Sequence, residues 1–241
     1  MNLPLREVAR RVDALPGVRP RRIRPLLLPT WAAEVTATVR ESQPYDVFDR
    51  YLSRAVAEAG LSDVAELAEF LGAEPAFVAR TVRFLTGMGH LSSSAEGKIV
   101  LTELGRLSVA DGRRYQLARG RRMRLRFDGF TGAPVPYHCA TRSSWQTAPE
   151  LTLPDGTSFQ PVPAVLELPG TAVGDLLRRP DVDEFTGPAV PVEVEPVAVR
   201  PAWLPVYLVE CEDEPLVFGG EVDGPDPYLA GFIPFLAGKT F

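Results

Sequence analysis

Two spacings of hydrophobic residues divide the first hundred positions into elements. In "LREVARRVDAL" the apolar Leu5, Val8, Val12 and Leu15 recur at helical spacing, with Arg6, Arg10 and Arg11 on other faces, which predicts a short amphipathic helix. "PGVRPRRIRPLLLPTW" follows with four prolines. A pyrrolidine ring removes the backbone donor that a helix interior needs, so this stretch is expected to be extended, on the surface or along a sheet edge. "AEVTATVRE" then sets Val35, Ala37 and Val39 against Glu34, Thr36, Thr38 and Arg40, the alternation of a strand.

From Tyr45 the spacing becomes helical again. "YDVFDRYLSRAVAEAG" places Val47, Phe48, Tyr51, Leu52, Ala55 and Val56 on one face and stops at Gly60. "SDVAELAEFLG" is expected to start with Ser62 as N-cap, to bury Val64, Leu67 and Leu71, and to end at Gly72. "EPAFVARTVRFLTGMGHL" has Pro75 in the first turn and turns Val78, Val82 and Leu85 inward. "HLSSSAEGKIVLTELGR" then reads as strand, turn, strand and a short helix or turn.

On these residues, "SDVAELAEFLGAEPAFVARTVRFLTGMGHL" followed by a hairpin and "LTELGR", the segment 45–106 resembles the winged helix-turn-helix domain of the MarR- and ArsR-like superfamily. The resemblance implies that the third helix, about Pro75 to Gly87, enters the DNA major groove. It also implies that the hairpin, about Leu91 to Leu101, touches the backbone or minor groove. The outward positions of the third helix are expected to be Ala76, Phe77, Arg80, Arg83 and Phe84, and Lys98 is the cation of the hairpin. Asp63, Glu66, Glu69 and Glu74 surround that helix with negative charge, which opposes phosphate binding. Phe77 and Phe84 offer an alternative use of the same module, as a docking surface for another protein.

Beyond Arg106 the chain is broken by proline and glycine into short apolar runs: "RLRF", "APVPYH", "AVLEL", "VEVEPVAV", "WLPVYLVEC" and "PLVFGG". Only "GTAVGDLLRR" and "DPYLAGFIPFLAG" read as helical. Strands with frequent turns predict a β-rich part, a barrel or curled sheet. The expected fold class is therefore α+β: an N-terminal helix and extended segment over 1–44, a winged helix-turn-helix over 45–106, and a β-rich domain over 107–241.

Charge sharpens this picture. The net charge is −5, yet residues 1–159 carry 22 Lys plus Arg against 17 Asp plus Glu, and the rest carry 4 against 14. Seven arginines fall within fourteen residues, Arg113, Arg114, Arg119, Arg121, Arg122, Arg124 and Arg126. In "GRRMRLRFDG" a strand would turn Met123, Leu125 and Phe127 into a core and set Arg122, Arg124 and Arg126 as a ladder on the other face. Such a ladder meets either a nucleic-acid backbone, together with Arg121, or acids of the same chain, for which Glu193, Glu195 and the Glu210–Glu214 stretch are the expected partners.

Catalytic chemistry finds little footing. Cys139 and Cys211 match no metal-ligand or redox spacing and are expected as free thiols. In a strand, His138 and Cys139 would point to opposite faces and could not form a nucleophile–base pair. "FDGFTG" reads as a hairpin turn at Asp128. No phosphate-binding glycine loop occurs, and neither Lys98 nor Lys239 is near the acids of "ECEDE", so no cofactor, metal site or enzymatic activity is expected. No segment approaches the roughly 20 apolar residues of a spanning helix, and the N-terminus carries no uninterrupted apolar run. The chain is thus expected in the bacterial cytoplasm, as a non-enzymatic DNA-associated protein engaged in transcription regulation or as a subunit of a larger assembly. Double-stranded DNA is the expected partner, with a protein partner or a second copy as the other candidate.

Overall fold

The proline-bearing segment and the alternating segment after it form one continuous strand. In a computed structural model, which describes residues 2–164, 166–220 and 224–236, α1 (Leu5–Asp13) leads into β1 (Pro20–Gln43). α2 (Val47–Glu58), α3 (Val64–Leu71), α4 (Pro75–Gly87), a hairpin of β2 (Leu91–Ser93) and β3 (Ile99–Leu101), and α5 (Glu103–Asp111) come next. β4 (Arg114–Asp128), α6 (Tyr137–Arg142), β5 (Leu151–Thr152), β6 (Ser158–Pro161), α7 (Ala172–Leu177) and α8 (Asp183–Thr186) follow. The chain continues through β7 (Ala189–Cys211), β8 (Leu216–Gly219), α9 (Pro227–Ala230) and α10 (Ile233–Leu236). Helices and a mixed sheet make the fold class α+β.

Two units divide these elements differently from three consecutive segments. One takes the chain up to Ala37, Arg122–Gly187 and everything from Val194; the other takes Thr38–Arg121 with Pro188–Glu193. β1, β4 and β7 each run from one unit into the other.

In the first unit the sheet order is β5-β6-β1-β7-β8, with β4 also paired to β1. β1 and β6 are parallel, with Leu26 opposite Gln160, whereas β5–β6 and β7–β8 are antiparallel. The path is open at β5 and β8, so among the described residues the sheet does not close into the barrel that the turn-rich sequence allowed. Proline's fixed φ suits an extended chain, and its missing donor limits pairing. The ladder from β1 to β6 accordingly covers Leu26 and Leu27, between Pro25 and Pro29.

Both faces of this sheet are covered, which explains the unbroken apolar runs "PLLL" and "WLPVYLV". On one face Leu26, Leu28, Leu204, Val206 and Leu208 pack with Phe130, Phe232 and Leu236. On the other, Leu27, Tyr207, Val209 and Phe218 pack with Val8 and Val12 of α1. α1 is tied down by Leu3 N donating to Gly220 O at 2.9 Å and by the Tyr207 hydroxyl donating to Leu3 O. Burying one such aliphatic side chain contributes about 1.5–3 kcal/mol, so two valines and the leucines beside them anchor the helix.

Several local readings change. "YHC" lies in α6, where the chain was expected to be a strand. "AVLEL" forms no strand among its described residues, and Val165 lies outside them. "DPYLAGFIPFLAG" forms α9 and α10, and its last two residues, with Lys239 beyond them, also lie outside the described residues.

In the second unit α2, α3, α4 and the hairpin enclose Leu52, Ala55, Leu67, Val78, Leu85, Leu91 and Leu101. Asp46 caps α2 by accepting from Phe48 N and Asp49 N. This start directs Phe48, Leu52 and Ala55 inward and leaves Val47 70% exposed, although its spacing placed it on the inner face. Asp63, not Ser62, is the N-cap of α3, accepting from Ala65 N and Glu66 N, and Glu66 reaches back to Ser62 N at 3.3 Å. A carboxylate outcompetes the neighbouring hydroxyl because two amide donors favour a full negative charge at the positive helix end.

Candidate functional site

α4 begins at Pro75 after the turn that follows Gly72, and it buries Val78, Thr81 and Leu85 against α2 and α3. The opposite positions, Ala76, Phe77, Arg80, Arg83 and Phe84, are exposed. Arg80 stacks over the Phe77 ring at 5.2 Å, and Phe77 in turn packs on Phe48 at 4.6 Å. Phe77 is therefore partly a core residue, 38% exposed, whereas Phe84 is 49% exposed. Neither Arg80 nor Arg83 has an acidic partner among the described residues. Lys98, on the β2–β3 hairpin, lies 3.7 Å from Glu96. Of the four acids near α4, Asp63 and Glu66 serve as caps of α3, yet all four remain exposed.

At the start of α5, Thr102 donates to Gly89 O at 2.5 Å and accepts from Gly105 N at 3.1 Å. His90 is fully buried, with Nε2 2.6 Å from Tyr115 O, so it holds β4 to the hairpin rather than facing a ligand. Asp49 is buried beside Arg114 at 3.6 Å. Burial, reinforced by Asp46, raises its carboxyl above the ordinary range despite the guanidinium.

The arginines of β4 are not equivalent. Alternation holds at its end, where Leu125 and Phe127 are buried and Arg122 and Arg124 exposed. Arg121 Nη2 lies 2.9 Å from Glu41 in the second unit, and Arg124 Nη2 lies 2.9 Å from Glu34 in the first. Both acids are on β1, the strand paired with β4. The acidic C-terminal stretch has other partners: Glu210 pairs with Arg24, and Glu212 with Arg19 and Arg21. Arg126 places its guanidinium carbon over the Trp145 ring, 3.7 Å from its centre. Burial, with Arg124 acting in the same direction, lowers its guanidinium to about 10, and it stays charged at neutral pH. Arg122 alone of this ladder is exposed without an ion pair among the described residues. The Asp128 carboxylate is used up by its turn, accepting from Phe130 N, Thr131 N, the Thr131 hydroxyl and Ala133 N.

A second constellation was not legible in the sequence. Because Tyr137–Arg142 is helical, neighbouring side chains need not diverge, and His138 Nε2 lies 3.1 Å from Cys139 Sγ. Asp226, 87 residues later, brings its Oδ2 to 3.6 Å from the same sulfur. Its Oδ1 is held by Tyr228 N at 2.8 Å and Leu229 N at 3.3 Å. Burial, then the Asp226 carboxylate, pushes the Cys139 thiol up to about 12. His138 is exposed at the rim of a cleft of about 130 Å³ that Asn2, Arg142, Ser144 and Gly220 also line. One ligand atom from each of the three residues lies within 4.8 Å of the others.

Comparison of the chain with protein-family models, with curated proteins and with solved structures finds no match. The functional reading therefore rests on the residues themselves. Among the described residues no helix is long and apolar enough to cross a membrane.

Proposed function

We propose that residues 45–106 form a winged helix-turn-helix of the MarR- and ArsR-like kind. In this reading the protein binds double-stranded DNA in the bacterial cytoplasm, without enzymatic activity, as a transcriptional regulator or a DNA-binding subunit of a larger assembly. The observation that carries it is the surface of α4: Arg80 and Arg83 are exposed and, among the described residues, free of acidic partners, on the helix that stands third before an antiparallel hairpin. Guanidinium groups on such a helix match the O6 and N7 acceptors of guanine or the phosphates beside the groove. Lys98 and Arg121, already near acids, add less.

A second reading has its own support. Phe70 is 62% exposed and Phe84 49% exposed on neighbouring helices, and exposed aromatic rings are enriched at protein interfaces. In that reading the module is an adaptor and DNA is not its partner.

Titration of labelled duplex DNA at several salt concentrations separates the two. Arg80→Glu with Arg83→Glu lowers affinity and flattens the plot of log affinity against log salt by about 0.9 for each phosphate no longer neutralised. Unchanged affinity in a variant with an unchanged melting temperature removes α4 as the DNA-contacting helix.

A further inference from the structure

We propose that His138, Cys139 and Asp226 bind a divalent transition-metal ion of the zinc type. The inference is independent of DNA binding. Imidazole nitrogen, thiolate sulfur and carboxylate oxygen together suit zinc, whereas magnesium and calcium prefer oxygen alone. With zinc–sulfur near 2.3 Å and zinc–nitrogen or –oxygen near 2.0–2.2 Å, a tetrahedral ion separates its sulfur from either other ligand atom by about 3.5–3.6 Å. The protein holds Sγ 3.1 Å from Nε2 and 3.6 Å from Oδ2, so both edges that meet at the sulfur are close to those of a tetrahedral site, and all three ligand atoms lie within 4.8 Å of one another.

The support behind the ligands fits as well. Two backbone amides hold Asp226 Oδ1 and leave Oδ2 directed at the sulfur, which is how outer hydrogen bonds orient a metal-binding carboxylate. Cys139 is fixed by burial, and His138 closes the set from the exposed side. Coordination through Nε2 leaves the imidazole proton on Nδ1. The Cys139 S–H bond breaks as the sulfur–metal bond forms, and the proton leaves to solvent. Thiolate and carboxylate then balance the two charges of the ion. The cleft beside Ser144 and Asn2 provides a fourth position for water or a small ligand.

The test uses the full-length, tag-free chain stripped with a chelator and titrated with Co(II). The expected result is a thiolate-to-cobalt charge-transfer band that saturates at one equivalent and disappears on addition of Zn(II). His138→Ala, at an exposed position, keeps the native circular dichroism spectrum and loses affinity by about tenfold or more. Cys139→Ser abolishes the band, and Cys211→Ser keeps it. No band at equimolar cobalt, an equally tight band in His138→Ala, or loss of the band only in Cys211→Ser overturns the proposal. In each of those cases the three residues are a hydrogen-bonded cluster only.

Discussion

Arg124 on β4 and Glu34 on β1 face each other with 2.9 Å between Nη2 and Oε1, while Arg122, two residues earlier, is exposed with no ion pair among the described residues. Residues that the sequence sets in one ladder thus differ in what they can offer a ligand. If DNA is bound as proposed and Arg122 reaches a phosphate, Arg122→Gln flattens the salt dependence by about 0.9, and Arg124→Gln leaves it nearly unchanged. The coupling between Arg124 and Glu34, measured by a double-mutant cycle in urea, is expected below about 1 kcal/mol, because both side chains are solvated. Equal salt slopes for the two arginine variants would show that Arg124 leaves Glu34 for the ligand.

Gly105 packs its Cα against the His90 carbonyl: a Cβ there would lie 2.1 Å from that oxygen. Gly105→Ala must displace α5 or the segment that joins α4 to β2, and a loss of about 1–3 kcal/mol is expected from such overpacking. Gly174 in α7 has nothing within 4 Å of a Cβ, so Gly174→Ala is expected to stabilise by about 0.4–1 kcal/mol through a less flexible unfolded chain. Chemical denaturation of the two variants gives opposite signs; a neutral Gly105→Ala would mean that α5 adjusts freely.

Asp49 carries a pH signature. Its carboxyl is raised above 3.8 by burial, so folding favours its protonated form. Its contribution to stability is therefore complete below pH 3.8 and is lost as the pH rises through the folded-state value. The difference in unfolding free energy between wild type and Asp49→Asn should drift against wild type as the pH rises through that window, then level off. A difference independent of pH would mean that Arg114 compensates the burial fully.

The two rings of α4 separate by their packing. Phe77→Ser removes the ring that packs on Phe48 at 4.6 Å and forms the platform under Arg80, so thermal unfolding is expected several degrees lower. Phe84→Ser, at a half-exposed position, is expected to stay within about 0.5 kcal/mol of wild type. A protein partner that fails to bind only the stable Phe84→Ser variant would favour the adaptor reading.

Local chemistry was legible in the sequence wherever it is decided locally. Helical spacing with glycine stops located α2, α3 and α4, and alternation in "RLRF" located the buried Leu125 and Phe127. Asp-Gly marked the turn at Asp128, since a short carboxylate bonds the amides just after it. What only the tertiary structure decided lies in contacts across long separations. The partners of Arg121 and Arg124 are glutamates of β1 because strand pairing brings positions 80 and 90 residues apart side by side, and charge counts cannot rank them above the acidic C-terminal stretch. The chain up to Ala37 is joined with β7 and β8 because β1 is the sheet neighbour of β7 and α1 packs on the face that Tyr207, Val209 and Phe218 line. The His138–Cys139–Asp226 set needed both a helix where the apolar run suggested a strand and a carboxylate placed by the N-cap of α9. Residue spacing encodes which side of an element a side chain takes; which element faces it is determined by how the whole sheet buries its two apolar faces.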